Sequence, residues 1–428
     1  ELKDIFCMKL YFMKMFLCVK KIVLHLVTNL NFFYRIIMKI ELPQLFVQND
    51  WYLVISESSS SFWVSCSIEG APSIYGMINS WMKDGAVELI ASNGFEVQLV
   101  RKGVLMVKSL DFNITTYFFS PIKEFNNIHK SYVRCMDLSP SGSLAVSCSY
   151  GALCVWQTDD GLTRRTLDGH FGDPSHCRFF PSGVVVLSGG DDMLLKIWST
   201  EDGSCPVTLI KHKGGITDTA IIERGRNFIS CSRDGRAFLW DCSSAKCIAT
   251  LLESETVLNC CSLISYGSSF QNNERSQFEY GTDGKMLVVG QESGYVQAVD
   301  VSSKTKVYSL NCDSPVNDCC FASENKLITG HQDGRINLFD IRHTTSPLYD
   351  YKCGKSSVKC LERLSDDSIL IGREDGSCSC IQMNDISVTI EMSGPNCDSI
   401  YNVSSNSPFV YTACRDKVIR KYKMDIKT

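Results

Sequence analysis

From Val133 to the C-terminus, short apolar runs alternate with polar turns that often contain glycine. In the run Arg236–Trp240, both faces are apolar, because Ala237 and Leu239 alternate with two aromatic residues. A period of two with both faces apolar is typical of a strand that is packed on both sides. This stretch of the chain predicts four successive strands, Ile216–Ile222, Asn227–Cys231, Arg236–Trp240 and Lys246–Leu251.

The four-strand unit repeats along the chain. Trp156, Trp198 and Trp240 each end a predicted third strand, and they are spaced 42 residues apart. A repeat of ~40–45 residues is typical of one four-stranded propeller blade. Seven copies predict an all-β fold, a seven-bladed β-propeller. The four weaker copies end at Val299-Asp300, Phe339-Asp340, Ile381 and Tyr422.

The repeats assign residues 116–428 to the propeller. Residues 38–115 contain strand-like runs without a partner at the repeat spacing, and we expect them to form a small β-rich N-terminal domain. The spacing between the third and fourth repeats is longer than the others, which predicts a polar surface loop at residues 264–282. Little chain follows Tyr422, so we expect the run Thr116–Phe125 to supply the last outer strand and close the ring.

Residues 1–37 are apolar and basic. Basic residues interrupt each apolar run before it reaches the ~18 residues that a membrane-spanning helix needs. We expect this segment to be a non-native or disordered extension outside the mature fold, with a targeting arm or an amphipathic anchor as alternatives. The interrupting residues are Lys9, Lys14, Lys20, Lys21 and Arg35.

Charge and cysteine usage narrow the class of protein. A net charge of −4 gives no global basic field to hold nucleic acid or an anionic membrane. The 22 cysteines include no Cys-x-x-Cys pair, and many lie inside predicted strands. Such cysteines behave as small buried hydrophobes, whereas disulfide frameworks belong to short secreted chains. We therefore expect reduced thiols and a cytoplasmic and nuclear protein.

A set of histidine, serine, aspartate and tryptophan recurs at spacings of 18, 4 and 6 residues in two consecutive blades. Buried polar groups must be paired, and this set can form a hydrogen-bonded relay from carboxylate to imidazole to hydroxyl to indole. The relay residues are His170, Ser188, Asp192, Trp198 and His212, Ser230, Asp234, Trp240. Weaker relays are expected in the first blade (His129, Ser147, Trp156, with Tyr150 in place of the acid) and in the fifth (Thr329, Asp333, Phe339).

The same set resembles a hydrolase triad, but its recurrence from blade to blade and the lack of a nucleophile elbow argue against catalysis. Cys378 and Cys380 share a strand face but have no second ligand pair at zinc spacing. The pairs Gly189-Gly190 and Gly214-Gly215 are not followed by the Gly-Lys-Ser/Thr of a phosphate loop. We therefore predict a protein that is not an enzyme, with no catalytic residue, no metal and no cofactor.

The residues that precede the turn acids are expected to surround one propeller face and to form the candidate partner-binding face. We call this set the turn ring. Its mixed signs suit a protein partner with a patterned charge surface, although a solvated polar rim would look the same. The turn ring consists of Ser149, Asp191, Arg233, Glu292, Gln332, Glu374 and Arg415.

Phe339-Asp340-Ile341-Arg342 resembles the Trp-Asp-x-Arg box by which some propellers dock on a cullin ubiquitin-ligase adaptor. The box occurs as one imperfect copy, and an Asp-x-Arg pair after a third strand is also common as a local ion pair. A substrate receptor of a cullin-type ubiquitin ligase is therefore the alternative function. Arg342 is the residue that distinguishes this alternative.

Two segments, 177–199 and 212–242, contain residues that a generic blade does not require, among them FPSGVVVLSGG and GGITDTAIIERGRN. These segments resemble the proteasomal ATPase-associated factors, a family of WD-repeat proteins, and weaker similarity extends from Met38 to Tyr422. The resemblance implies a seven-bladed WD-repeat propeller that acts as a non-catalytic binding scaffold.

The resemblance also implies a partner. Members of this family are assembly chaperones of the proteasome regulatory particle, so the expected partner is an ATPase subunit of the 19S regulatory particle. Binding is expected at the C-terminal region of that subunit, where it would restrain docking on the core particle. No nucleic acid and no membrane partner is expected, and the protein is expected to be a monomer.

Overall fold

In the computed structural model, regular structure is almost entirely β-strand. The structure describes residues 38–41, 43–55, 60–68, 70–83, 86–267, 276–352, 354, 356–365, 368–383 and 387–425. The prediction made for residues 1–37 falls outside these ranges and stays a prediction.

The N-terminal strands form one separate sheet and extend sheets of the propeller. β1 (Met38–Glu41) lies at the edge of the sheet of the fifth blade, and a one-turn helix, α1 (Trp51–Val54), follows β2. Four strands, β2 to β5, form the separate antiparallel sheet, and the next three, β6 to β8, continue the sheet of the sixth blade. These strands are β2 (Gln44–Val47), β3 (Ser60–Ser67), β4 (Ile74–Lys83), β5 (Ala86–Ala91), β6 (Phe95–Arg101), β7 (Val104–Ser109) and β8 (Ile114–Phe119); β9 (Lys123–Phe125) follows them.

The first three blades each consist of four antiparallel strands that pair in chain order. The first contains β10 (Val133–Leu138), β11 (Leu144–Ser149), β12 (Ala152–Gln157) and β13 (Thr163–Thr166). The second contains β14 (Pro174–Phe179), β15 (Val185–Gly190), β16 (Leu194–Ser199) and β17 (Val207–Ile210). The third contains β18 (Ile216–Ile222), β19 (Asn227–Ser232), β20 (Arg236–Asp241) and β21 (Lys246–Glu253), each within two residues of its predicted bounds.

The next three blades follow the same order. The fourth contains β22 (Leu258–Ser265), β23 (Lys285–Gln291), β24 (Tyr295–Asp300) and β25 (Thr305–Asn311). The fifth contains β26 (Val316–Ser323), β27 (Lys326–His331), β28 (Arg335–Asp340) and β29 (Tyr349–Lys352). The sixth contains β30 (Val358–Ser365), β31 (Ser368–Arg373), β32 (Cys378–Gln382) and β33 (Ser387–Met392). β22 includes the first two residues of the loop predicted at 264–282, and residues 268–275 of that loop lie outside the described ranges.

The seventh blade is closed by a strand from the other end of the propeller. It contains β34 (Ile400–Asn406), β35 (Phe409–Cys414) and β36 (Ile419–Lys423), and β9 pairs with β36 as the outermost strand. The predicted closing run Thr116–Phe125 was too long, because its first part lies in β8. That strand pairs with β7 and, in parallel, with β33 of the sixth blade. The predicted boundary between residues 115 and 116 therefore falls inside β8.

The innermost strands of consecutive blades contact one another, and β34 contacts β10. The described residues therefore form a closed ring of seven blades, which confirms the predicted fold. Burial decreases outwards, because the middle strands are covered by the neighbouring blades on both faces. All of β19, the second strand of the third blade, is buried, whereas β13, the outermost strand of the first blade, is exposed along its whole length.

Side chains from the innermost strands tie the blades together around the central channel. Each of the seven junctions has at least one side-chain to backbone hydrogen bond, although the innermost strands of different blades belong to different sheets. Carboxylate and amide oxygens accept backbone N–H groups at Asp137 from Phe179 (2.7 Å), Asp218 from Cys261 (2.7 Å), Asp318 from Leu361 (2.7 Å), Glu362 from Ser405 (3.2 Å) and Asn402 from Met136 (3.2 Å). Donors to backbone carbonyls are Ser175 to Ile216 (2.5 Å), Thr217 to Leu258 (2.6 Å), Asn259 to Val316 (3.0 Å) and Asn317 to Val358 (2.7 Å).

Glu362 allows the cost of these buried charges to be measured. Its Oε1 accepts both the backbone N–H and the hydroxyl of Ser405, at 3.2 and 2.9 Å. Burial raises the pKa of Glu362 to about 7. The folded protein therefore binds this proton more tightly than the unfolded chain, and stability is lost as the pH rises through 7.

We expect Glu362→Gln to stabilise the protein at pH 8 by ~1–3 kcal/mol, because glutamine keeps the acceptor oxygen and removes the charge. The gain should shrink as the pH falls through 7 and should vanish below the ordinary pKa of glutamate. Urea unfolding of both proteins between pH 4 and pH 8 measures this difference. A difference that does not change across this pH range would contradict the assignment.

Candidate functional site

The antiparallel order of the strands places the turns between second and third strands at one end of the propeller. The loops that enter each blade lie at the same end, because they precede the first strand. We call this end the turn face. It contains the turn ring, the relay histidines and the mouth of the central channel.

The second blade brings together the four predicted relay residues. His170 Nδ1 lies 2.9 Å from Asp192 Oδ2, and His170 Nε2 lies 2.7 Å from Ser188 Oγ. Trp198 Nε1 donates to the same hydroxyl oxygen at 2.8 Å. The third blade repeats the arrangement at 2.9, 2.7 and 2.8 Å with His212, Ser230, Asp234 and Trp240.

The direction of each bond follows from the two ends of the relay. An indole N–H can only donate and a carboxylate can only accept, so the serine hydroxyl must donate to Nε2 and the imidazole must donate from Nδ1. Burial lowers the pKa of both His170 and His212, which favours the neutral imidazole that this scheme requires. The serine oxygens are fully buried between two partners, so the arrangement is structural and gives no accessible nucleophile.

The relay acid also fixes the loop on the turn face. Asp192 Oδ2 accepts the backbone N–H of Phe171 at 3.0 Å, and Asp234 Oδ2 accepts that of Lys213 at 2.7 Å. Both residues directly follow a relay histidine, and both are exposed, Phe171 to 93%. The relay therefore holds these side chains towards solvent on a rigid backbone.

The first blade has an incomplete relay. His129 Nε2 lies 2.6 Å from Ser147 Oγ, and Trp156 Nε1 donates to the same oxygen at 2.9 Å. The turn between β11 and β12 is one residue shorter than the corresponding turns of the next two blades, so it has no position for an acid. Within the described structure, His129 Nδ1 is buried without a hydrogen-bond partner, and burial lowers the pKa of His129 to about 4.

The fifth blade builds its relay differently from the prediction. Thr329 Oγ1 bonds His331 Nε2 at 2.8 Å, and the histidine comes from β27 itself rather than from the preceding loop. The predicted acid, Asp333, is exposed and accepts the backbone N–H of Arg335 at 3.1 Å, so it takes no part in the relay. Phe339 is buried and has no group that could bond the threonine.

A residue type that the sequence analysis missed explains this difference. The last residue of the second strand is small where the loop provides a histidine, and a Cβ on Gly190 would lie 2.8 Å from His170 Nδ1. In the fourth to sixth blades this residue is large, polar and almost fully buried. The sequence shows this change in residue size when the seven blades are aligned at the repeat spacing. The residues are Ser149, Gly190, Ser232, Gln291, His331, Arg373 and Cys414 in blade order.

The turn ring surrounds the channel mouth, but one of its predicted members, Ser149, does not reach the surface. Ser149 is buried and donates to the Ser131 carbonyl at 3.1 Å, so the equivalent exposed place in the first blade belongs to Tyr150. The shorter turn shifts the register and causes this change. The other members, Asp191, Arg233, Glu292, Gln332, Glu374 and Arg415, are exposed or half-buried.

Several members of the turn ring are paired with nearby side chains. Most of these partners are second residues of innermost strands at the channel mouth. The pairs are Asp191 with Arg134 (2.8 Å), Glu292 with Asn259 (2.8 Å), Gln332 with Asn317 (3.0 Å), Glu374 with Lys359 (3.2 Å) and Arg415 with Asp398 (3.0 Å). The turn face is therefore a preordered polar surface.

The central channel encloses about 550 Å³ and is lined by polar side chains and cysteine sulfurs of the innermost strands. Cys378 and Cys380 lie in β32 and are buried away from this channel. Across the part of the chain that the structure describes, no group of three or more His, Cys, Asp or Glu side chains is arranged to hold a metal ion. No helix within the described ranges is both long and apolar enough to cross a membrane.

Arg342, which distinguishes the ligase alternative, forms a local ion pair. Its Nε and Nη2 atoms lie 2.9 and 2.8 Å from the two carboxylate oxygens of Asp340. The pair follows the end of β28, so it lies at the opposite end of the blade from the turn ring.

The seven-bladed ring and its relays define a WD-repeat β-propeller. Residues 119–157, 161–199, 203–241 and 304–340 match the WD domain, G-beta repeat family. The chain is 38% identical over 386 residues to "Proteasomal ATPase-associated factor 1" of Gallus gallus and of Homo sapiens, covering 88% of this chain and 98% of each relative. It is 34% identical over 416 residues to "Probable proteasomal ATPase-associated factor 1" of Dictyostelium discoideum, covering 89% of this chain and 96% of that protein.

The chain belongs to the proteasomal ATPase-associated factor 1 family. This membership confirms the resemblance that segments 177–199 and 212–242 indicated.

The incomplete first relay can be tested by repairing it. Inserting one aspartate between Tyr150 and Gly151 gives this turn the length found in the second and third blades. We expect the unpartnered Nδ1 of His129 to gain an acceptor, which should stabilise the fold by about 1 kcal/mol and raise the pKa of His129. Urea unfolding and an NMR titration of the imidazole measure both effects.

An alanine inserted at the same place is the matched control, because it lengthens the turn without adding an acceptor. Equal stability of the two insertion variants would show that the carboxylate does not complete the relay.

Proposed function

We propose that the protein is a non-catalytic assembly factor that binds a proteasomal ATPase subunit of the 19S regulatory particle. In this proposal the propeller engages the C-terminal region of the subunit and restrains its docking on the core particle. Family membership supports the partner, since relatives named for association with proteasomal ATPases align with this chain over nearly their whole length. We also propose that this takes place in the cytoplasm and nucleus.

The observation that carries the proposal is the exposure of Phe171 on the turn face. A phenylalanine that is 93% exposed has no stabilising role in the isolated propeller. Its backbone is held by Asp192, so little conformational entropy would be lost when a partner covers the ring. Exposed aromatic residues on ordered backbone are typical anchors of protein interfaces.

Tyr150 is a second exposed aromatic residue on the turn face. This side chain is 65% exposed, and the next residue, Gly151, donates its N–H to Asp173 at 3.0 Å. The bond joins the turn of the first blade to the loop that contains Phe171. Two aromatic side chains thus lie on connected, fixed segments of the same face.

The charged members of the turn ring would set orientation and specificity. Arg233 and Arg415 have side chains that are 54% and 56% exposed, whereas Glu292 and Glu374 present the opposite sign on other blades. Such a pattern selects a partner with a complementary pattern more than it adds affinity. Binding should need no nucleotide, because the proposed contacts are made by protein side chains alone.

The first test is the loss of an aromatic anchor. We expect Phe171→Ala to weaken binding to the C-terminal domain of a proteasomal ATPase subunit by ~2 kcal/mol, about thirtyfold in Kd. Titration calorimetry with the C-terminal domain of each ATPase subunit measures this effect. Leu162→Ala is the matched control, because Leu162 is 56% exposed and lies between β12 and β13, at the opposite end of the blades from the turn face.

Charge variants separate the two candidate functions. Arg233→Glu should weaken binding to the same subunit, and Arg342→Glu should leave it unchanged. Full-strength binding by the Phe171→Ala and Arg233→Glu variants would exclude the turn face. Loss of binding in the Arg342→Glu variant alone would move the interface to the opposite end of the blades.

A further inference from the structure

The channel brings three chemically reactive side chains from consecutive blades into line. Cys135, His176 and Asp218 are each the third residue of an innermost strand, in β10, β14 and β18. Cys135 Sγ lies 3.6 Å from His176 Nδ1, and His176 Nε2 lies 3.4 Å from Asp218 Oδ1. All three side chains line the central channel.

The order thiol, imidazole, carboxylate is suited to forming a thiolate. An imidazole beside a thiol can take its proton, and a carboxylate on the far side stabilises the imidazolium that results. We propose that Cys135 is held as a thiolate by His176, and that it reacts with small electrophiles and hydroperoxides that enter the channel. Asp218 is a positioning residue in this arrangement.

His176 is arranged for this role. Its Nε2 is buried and makes no hydrogen bond within the described structure, although Asp218 Oδ1 lies 3.4 Å away. A neutral imidazole would leave an uncompensated polar atom there, whereas an imidazolium would face the carboxylate as an ion pair. Burial lowers the pKa of His176, but the Cys135 thiolate and Asp218 outweigh this effect and raise the pKa above its ordinary value.

Other groups around the Cys135 sulfur shift the pKa of this thiol in opposite directions. The neighbouring thiols of Cys148 and Cys177 lower the pKa of Cys135 most, burial opposes them, and His176 lowers the pKa further. The carbonyl oxygen of Cys177 lies 3.6 Å from Cys135 Sγ and can accept a hydrogen bond only from the thiol form. The balance is a pKa well below that of an ordinary thiol, and thiolates are the reactive form of cysteine. The titratable or charged groups facing this site are Asp137 from β10, Cys148 from β11, His176, Cys177 and Arg178 from β14, and Asp218 from β18.

The ring symmetry provides internal controls. Cys260 and Cys360 are also third residues of their innermost strands and line the same channel. They are 3% and 4% exposed, against 5% for Cys135. Their thiol pKa values are raised, Cys260 chiefly by its sulfur contact with Cys319 and Cys360 by burial. A difference in reactivity between these cysteines and Cys135 therefore reports on the groups around each sulfur and not on access.

The reaction with hydrogen peroxide balances as follows. The thiolate sulfur attacks one peroxide oxygen, the O–O bond breaks, and a sulfenic acid and hydroxide form. The sulfur is oxidised by two electrons and the peroxide is reduced. The hydroxide takes the proton that the His176 imidazolium holds, and water leaves.

The test is site-resolved labelling of the folded full chain with iodoacetamide between pH 6 and pH 9, read by mass spectrometry. We expect Cys135 to be alkylated at least tenfold faster than Cys260 and Cys360 at pH 6.5. Treatment with hydrogen peroxide and dimedone should label Cys135 first. Equal rates at the three cysteines would overturn the proposal.

Variants of the neighbouring residues test the cause. His176→Asn keeps a donor near the sulfur without the charge, and it should lower the rate at Cys135 at least fivefold and move the midpoint of its pH profile upwards. Asp218→Asn should shift the midpoint in the same direction by less. If Cys135 remains fast with an unshifted profile in a folded His176→Asn variant, His176 is not the activating group.

This proposal is independent of the partner. Cys135→Ser should abolish the fast label and leave binding of the ATPase subunit unchanged, since the sulfur lies inside the channel.

Discussion

The hydrogen bonds between the innermost strands are the interaction on which the rest of this structure depends. Among the strands that the structure describes, each blade belongs to its own sheet, so no backbone ladder joins neighbouring blades around the channel. Side chains such as Asp137, Asp318 and Glu362 replace it by accepting backbone N–H groups of the following blade. Burying these carboxylates raises the pKa values of all three, so the ring closes at an electrostatic cost.

The same arrangement of innermost strands also positions the side chains of the turn face and of the channel interior. Strands held in register at the channel place their second residues at its mouth, where Arg134 and Lys359 pair with acidic members of the turn ring. The third residues of these strands meet inside the channel, which brings Cys135 next to His176. On the turn face, the relays fix the loops from the other side, and the exposed side chain of Phe171 is one result.

Much of this was predictable because the repeat period maps directly onto space. The spacings that located His170, Ser188, Asp192 and Trp198 are the same ones that place them on adjacent strands. The prediction failed at Ser149, because one missing residue in a turn shifts which side chain reaches the surface. It also failed for Thr116–Phe125, where strand propensity does not reveal whether a run pairs with the seventh blade or with β7.

The channel site shows a different limit. Cys135, His176 and Asp218 share no local motif, and each lies in a different blade. Their spacings match the repeat period, so a comparison of equivalent strand positions would have aligned them. The size exchange between the loop histidine and the end of the second strand was hidden for the same reason, since it appears only when blades are compared with one another.

The central claim is that the turn face is the binding surface for a proteasomal ATPase subunit. Hydrogen–deuterium exchange of the backbone amides, with and without the C-terminal domain of that subunit, tests it most directly. The account predicts slower exchange at residues 149–151, 170–173, 191–193 and 233–235, and no change at the turns 140–143, 181–184 and 223–226 at the opposite end. Slower exchange confined to the opposite end, or to the separate N-terminal sheet, would contradict it.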